Sequence, residues 1–456
     1  MSLSVEVTVG DGARRLPGGI PEVAVLAYPV VLQTLSDTMM QVVDTAIVGR
    51  LGVTELGAVG FGGIWLWTVV VIFVGSATGV QTFVAQDFGA GRAQSCGGWV
   101  WQGMYALVPA SLVWFGLIAV GFAPLLALLG PSVQLQGFAA QYAHARLCGA
   151  PAVVAGVIVT SFFRGRGDTR TPLLATIIAN VLNAAAAYGL VFGRFGLPAW
   201  GVAGAGVATA LANWTYAAIL LTLLLRRPLA DAFGTRPVGP DWGAVGRFLR
   251  TSVPIGGQWV LDMLSFALFS SIIARMGDAP IAASQVMIQL LALSFMQAFG
   301  ISIAAGALVG RYIGAAQLAA AERSHRSALQ LGLGLAAGIA VLFLTAPEFL
   351  LRLFTSDAGI IGLGRPLLML AAVFQAIDAV GIIVGGSLRG AGDTRWPFLV
   401  QTAFAWFVRL PLVYLLVVQL HGGLFGAWLG ELSYVAVLGA TWLLRFHGGA
   451  WRGMRI

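Results

Sequence analysis

The chain has 456 residues, of which 58% are hydrophobic and only 10% charged. A soluble domain carries about 25% charged residues, so this sequence lacks the polar surface needed to stay in water and is excluded from the soluble classes. Its net charge of +8 comes from 26 basic residues, all of them arginine, against 18 acids. The placement of those arginines points to a membrane and away from nucleic acid.

Residues 1–20 are polar, with Arg14 and Arg15 ahead of Pro17, Gly18 and Gly19. They contain no apolar core of a signal peptide, so the first span is expected to direct insertion. Twelve apolar runs follow, each of about 20 residues or more and long enough to cross hydrocarbon as a helix. They cover 22–49, 56–84, 97–121, 137–162, 172–193, 200–225, 250–276, 280–309, 325–346, 364–387, 396–418 and 424–445. Pro29, Pro151 and Pro254 lie inside runs and predict kinks. Between the sixth and seventh runs lies the polar stretch RRPLADAFGTRPVGPDWGAVGRFL, read as a linker over 226–249. The expected layout is thus a tail at 1–21, a six-helix lobe at 22–225, the linker, a second six-helix lobe at 250–445 and a tail at 446–456. With the N-terminus inside, nineteen arginines fall on cytoplasmic segments and five on outer ones, leaving Arg146 and Arg409 within spans. The positive-inside rule then places both termini in the cytoplasm. Cys96 and Cys148 supply neither a disulfide framework nor a metal spacing. His144 reads as a packing residue, and no nucleophile–base pair or phosphate loop appears, so an enzyme is not expected.

The two halves repeat each other. SFFRGRGDTRTP (Ser161–Pro172) returns as SLRGAGDTRWP (Ser387–Pro397), with Arg164 and Arg389, Asp168 and Asp393, and Pro172 and Pro397 each 225 positions apart. The same offset joins Pro29 to Pro254, Gln33 to Gln258, Asp37 to Asp262, Gly52 to Gly277 and Gly89 to Gly314. Near the end, GVAGAGVA from Gly201 matches GLFGAWLG from Gly423 at an offset of 222. Six spans per half give both halves the same orientation, related by a pseudo-two-fold axis along the membrane normal. Two such bundles enclose a cavity near the midplane, an architecture that transporters use. In the repeated loop, glycines make the turn, Asp168 or Thr169 is placed to cap the next helix, and Pro172 fits its first turn. Arg164, Arg166 and Arg170 are expected to meet lipid phosphates there.

An ionisable side chain inside a span is a functional candidate by default, because burying it costs a few kcal/mol. The candidates are Asp37, Asp44, Asp262, Asp378, Glu431, Arg146 and Arg409. Asp37 and Asp44 lie two helical turns apart on one face of the first span, and Gln33 and Gln41 extend that polar stripe. Asp262 and Asp378 fall near the middle of the seventh and tenth spans. Glu431 sits in the last span and is read as having no counterpart in the first half, while Arg146 and Arg409 are read as structural.

VVDTAIVGRLG (Val42–Gly52), the two RGxGDTRxP loops, Leu182-Asn183 followed by GVAGAGVAT (Gly201–Thr209), VPIGGQWVLDMLSF (Val253–Phe266) and FQAIDAVGIIVGGSLRGAGDT (Phe374–Thr394) together resemble the MATE (multidrug and toxic compound extrusion) family, in its NorM-like branch, across nearly the whole chain. The resemblance implies an all-α polytopic membrane protein with two related six-helix bundles. It also implies a multidrug efflux antiporter of a bacterial inner membrane that exchanges amphipathic, cationic compounds for H⁺ or Na⁺, with no other cofactor. Partners are then small organic substrates and membrane lipid, with no nucleic acid, and the chain is expected as a monomer. The family pattern assigns Asp44, Asn183 and Thr209 to an N-lobe proton or cation site and Asp262 and Asp378 to a C-lobe one. Asp37 joins them as a coupling candidate, and Na⁺ would sit at Asp44 or at Asp262 and Asp378. Two positions depart from relatives: Ala187 stands where some have a second carboxylate, and Phe374 where many have tyrosine. Gln33, Gln41, Gln258, Phe266 and Met287, with Trp65, Trp67 and Met296, are candidates for lining a substrate cavity, since Met and aromatic side chains adapt to varied ligands. The alternative is a lipid-linked oligosaccharide flippase of the same larger group. Against it, acids outnumber bases by five to two among the ionisable candidates read as lying inside the spans.

Overall fold

A computed structural model describes residues 16–128 and 132–454. Among them, eleven helices are long and apolar enough to cross a membrane, and twelve if a bent pair counts as one span. The chain is a multi-pass membrane protein. In order, the helices are α1 (Ile20–Gly49), α2 (Val53–Thr78), α3 (Val80–Gly89), α4 (Cys96–Leu128), α5 (Val133–Leu147), α6 (Ala150–Gly165), α7 (Arg170–Phe192), α8 (Gly201–Leu224) and α9 (Arg227–Phe233). The second half contributes α10 (Trp242–Ala274), α11 (Asp278–Gly314), α12 (Leu318–Thr345), α13 (Pro347–Arg352), α14 (Ala358–Ala391), α15 (Arg395–Phe404), α16 (Leu410–Tyr414) and α17 (Gly423–His447). No strand occurs among the described residues. Arg14, Arg15 and Arg455, counted in the charge asymmetry, lie outside them.

The fourth predicted span is α5 and α6, bent by 44° at Cys148-Gly149, just before Pro151. The seventh starts at Trp242, eight residues ahead of the expected 250, because Asp241 caps it by accepting from the N–H groups of Gly243 (2.9 Å) and Ala244 (3.2 Å). What remains of the linker is tied to α4. Trp101 Nε1 donates to the Thr235 carbonyl (3.0 Å), Gln102 Nε2 to Gly239 (3.1 Å) and the Tyr105 hydroxyl to Val238 (2.8 Å). The span from Arg395 to Gln419 carries two π-helical turns, Ala405–Arg409 and Leu415–Gln419, on either side of Pro411.

Each lobe has its own apolar core. Phe83, Phe162 and Phe163 are buried in the first, joined by Phe248 from α10 of the second half. Phe269, Leu350, Leu368 and Trp428 fill part of the second. The early turns of α1 cross over, burying Val23 and Ala27 against Ile301, Leu308 and Ala328 of the second lobe.

The pseudo-two-fold is visible in how the lobes touch. A Cβ on Gly75 would lie 2.8 Å from the Gly256 Cα, and a Cβ on Gly300, its repeat mate, would lie 2.5 Å from Val31 Cγ2, Val31 being the mate of Gly256. A Cβ on Gly89 would approach the Arg311 carbonyl to 1.8 Å, and one on Gly314 the Gln86 carbonyl to 2.0 Å. These are reciprocal contacts of one axis, and only glycine lets the backbones come so close. Hydrogen bonds join the lobes at the same end, the face that bears both RGxGDT loops. Gln81 Nε2 donates to the Ile303 carbonyl (3.0 Å) and Thr82 Oγ1 to that of Arg389 (2.9 Å). Gln86 Nε2 donates to Gly390 (3.3 Å) and Ala391 (3.2 Å), and the Tyr312 hydroxyl reaches both Glu22 oxygens (3.0 and 2.9 Å). Toward the opposite face Gln41, Val42 and Thr45 on α1, Ile64 and Trp67 on α2, and Leu264 and Leu268 on α10 are exposed. The lobes are thus sealed together on the loop face.

Candidate functional site: two intramembrane polar clusters

In the N-lobe the polar stripe of α1 faces α7 and α8. Asn183 Nδ2 donates to Asp44 Oδ1 at 2.7 Å, and Thr209 Oγ1 to Asp44 Oδ2 at 3.3 Å, as well as to its own-helix carbonyl at Ala205 (3.0 Å). Asn183 and Thr209 are buried, and the charge of Arg146 acts on Asp44 from α5. Arg146 itself donates to the Tyr142 hydroxyl at 2.8 Å. Two turns earlier, Asn180 Nδ2 donates to Ser36 Oγ (2.9 Å) and to Asp37 Oδ1 (3.4 Å). Asp37 and Asp44 therefore engage different neighbours on α7. Beyond Asp37 the stripe ends in a closed network. Gln33 donates to Thr176 (3.0 Å) and Tyr216 (3.2 Å), and accepts from Arg164 NH2 (2.9 Å).

In the C-lobe the charges gather around Arg409. Its NH2 lies 2.9 Å from Glu431 Oε1 and its NH1 3.3 Å from Asp262 Oδ1, while Cζ stands 4.1 Å from the Tyr434 ring centroid. The Tyr434 hydroxyl donates to Asp262 Oδ1 at 3.4 Å. Asp378 on α14 is close enough for the charges of Glu431, Asp262 and Arg409 all to act on it. Arg409 and Glu431 are 4% and 3% exposed, Asp262 37%. Asp262 is thus far more exposed than Arg409 and Glu431, and Asp378 is partly exposed.

Several sequence expectations need correction here. Met287, expected at a cavity surface, is 1% exposed among Leu290, Phe269 and Trp428, because its phase on α11 turns it into the lobe core. Gln33 and Gln258 are likewise buried, and Gln258 spends its amide on Gln401, the repeat mate of Thr176. Gln41 is exposed, and Phe266 is partly buried with Arg409 Cζ 6.0 Å from its ring. Arg164 points into the lobe toward Gln33 instead of toward lipid, whereas Arg166 stacks near Phe163 (5.0 Å) and Phe233 (5.3 Å). Asp168 caps α7 by accepting from Thr171 N at 3.0 Å. Glu431 does have a counterpart: at the 222 offset it occupies the place of Thr209. That alignment was the available signal for Glu431. Arg409, whose repeat position is Ala184, carries no such signal.

A family model described as MatE matches residues 29–189 and 254–415, well over half of the chain and once in each lobe. The chain belongs to the MATE family. Within that family it is similar to proteins named probable multidrug resistance protein NorM. The one from Thermotoga maritima is 29% identical over 437 residues, covering 94% of this MATE chain and 92% of the relative. The one from Bradyrhizobium diazoefficiens is 30% identical over 434 residues, covering 92% of each. The fold matches that of a solved MATE family transporter of the MOP superfamily described in an outward-facing conformation, with a TM-score of 0.85 at 18% identity, over 95% of this chain and 97% of that one. A second family model, lipid II flippase MurJ, matches residues 145–255 only.

Proposed function

We propose that this MATE protein is a secondary active multidrug efflux antiporter of a bacterial inner membrane, exporting amphipathic organic cations in exchange for H⁺ or Na⁺. The observation that carries the proposal is the pairing of one acid-centred cluster in each lobe with a lobe contact sealed on a single face. Moving that seal from one face to the other would expose the clusters alternately to the two sides. A ligand drives such an exchange only by binding one state better than the other. Asp44, held by the neutral donors Asn183 and Thr209 at 2.7 and 3.3 Å, offers an oxygen-rich site suited to a proton or a hard monovalent cation. Asp37 is the secondary candidate in that lobe. In this reading Asp262, whose side chain is 37% exposed, meets the cationic substrate, and Asp378 is its partner acid in the C-lobe. The arginine asymmetry supports cytoplasmic termini, and the sealed loop face is then the cytoplasmic one. The chain works as a monomer in this reading, since each polar cluster is completed within one lobe.

The test is efflux of a cationic dye from vesicles under separate ΔpH and Na⁺ gradients, comparing wild type with Asp44→Asn, Asp262→Asn and Asp378→Asn. Loss of efflux in the variants and dependence on one gradient are expected. Efflux that follows neither gradient, or survives all three substitutions, removes the proposal. The short MurJ match favours a second reading, a lipid-linked oligosaccharide flippase. Its anionic cargo would displace a cationic dye poorly from acid-centred clusters, so displacement by a lipid pyrophosphate would reverse the preference.

A further inference from the structure

We propose that Arg409 is a tethered cation that occupies the C-lobe cluster and competes with the transported cation for Asp262. This rests on the reading that the cargo is cationic, and concerns how the site releases it.

The local fold delivers the guanidinium. The π-helical turn Ala405–Arg409 precedes Pro411, which cannot donate to the helix ladder. Such wide turns shift the phase of everything that follows and recur at functional sites. Here the turn places a 4% exposed arginine within 3.3 Å of two carboxylates, Glu431 and Asp262. Its two contacts are unequal: Glu431 is buried and lies at 2.9 Å, whereas Asp262 is half-exposed and lies at 3.3 Å. The box is also unsaturated, because Arg409 Nε and NH1 and Glu431 Oε2 are buried without a hydrogen-bond partner, so that Arg409 meets Asp262 as an ion pair at 3.3 Å without a hydrogen bond. A guanidinium with donors to spare, anchored by Glu431, can yield Asp262 and take it back.

Thr209 stands at the place of Glu431 and Ala184 at that of Arg409, and among the described residues the donors to Asp44 are the neutral Asn183 and Thr209. Among the described residues, the C-lobe cluster, unlike the Asp37 and Asp44 cluster of the N-lobe, has an arginine within ion-pair distance of its acids. A substrate cation arriving from the cleft meets Asp262 first, and must draw it away from Arg409. Its binding is thereby weakened, and its departure is assisted when Arg409 recovers the carboxylate.

The experiment uses full-length protein in lipid nanodiscs and rhodamine 6G binding followed by fluorescence polarisation. The variant Arg409→Met/Glu431→Gln removes both buried charges together, so neither is left unpaired. It is expected to bind the dye about tenfold tighter, as for release of a competing charge pair. Adding Asp262→Asn should abolish that gain. Arg409→Lys covers the case in which the double variant fails to fold. A lysine cannot bridge two carboxylates, so it stays with Glu431 and dye binding tightens by about threefold. Unchanged or weaker affinity in the folded variants, or a gain that survives Asp262→Asn, overturns the inference while leaving the transport reading in place. Wild type that binds the dye no better than Asp262→Asn removes the cationic-cargo reading and this inference with it.

Discussion

The loop-face seal can be unpicked without touching either acid cluster. Gln81, Thr82 and Gln86 lie on α3 of the N-lobe, and three of the carbonyls they bond, at Arg389, Gly390 and Ala391, close the C-terminus of α14 in the other lobe. The last carbonyls of a helix have no partner within it. Here one lobe caps a helix of the other. Each such bond contributes about 0.5–1.5 kcal/mol net, because both ends meet water when the lobes part. The triple variant Gln81→Ala/Thr82→Val/Gln86→Ala removes four such bonds and should therefore weaken the sealed state by about 2–6 kcal/mol, a shift of about 30- to 20,000-fold in the balance between states.

The assay is a distance distribution between spin labels placed one on each lobe at the loop face, in a background with Cys148 replaced, since that cysteine is exposed. Wild type should give a short distance, and the triple variant a population at longer distance. The Asp44 and Asp262 clusters are untouched, so ligand-binding affinity measured in a locked state should not fall. A distribution identical to wild type would refute the reasoning, for it would mean that the glycine-mediated backbone contacts alone hold the seal.

Further expectations follow from single positions. Gly89→Leu would force a side chain where a Cβ already falls 1.8 Å from the Arg311 carbonyl, so the same labels should report an opened loop face and dye efflux should be lost. Asn183→Leu removes the 2.7 Å donor to Asp44 without altering its charge, and ion-gradient dependence should shift or vanish while the protein still inserts and folds. Met287→Ala should cost about 2–5 kcal/mol of stability, as for a buried core side chain, with no change in dye affinity. A large affinity loss would return Met287 to the cavity wall. Asp241→Ala removes the cap of α10 and should cost about 1 kcal/mol, read as a lower Tm in detergent.

Much of the architecture could be read from the chain because the bilayer enforces it. Every span must be apolar and about the same length, so twelve runs stood out, and duplication left its 225-residue offset in the loops. What escaped the sequence were side-chain directions that depend on helix phase. Arg164 sits in a loop motif and looked like a lipid contact, yet one turn of α6 swings it to Gln33. Met287 has the right chemistry for a cavity but the wrong side of α11. Arg409 reached the acid cluster through a π-helical turn, which no periodicity argument anticipates.

The two lobes keep one scaffold and have diverged in what they place at its polar centre. Lobe contacts still obey the pseudo-two-fold, as Gly89 against residue 311 and Gly314 against residue 86 demonstrate. The clusters do not: Asp44 belongs to the first lobe alone, since its repeat position is Phe269, while Arg409 and Glu431 belong to the second. On the proposed reading, this divergence lets each lobe favour a different ligand: the carboxylate with neutral donors would take a small ion, and the carboxylate shared with a fixed cation would take a bulkier cation that must bind weakly enough to leave.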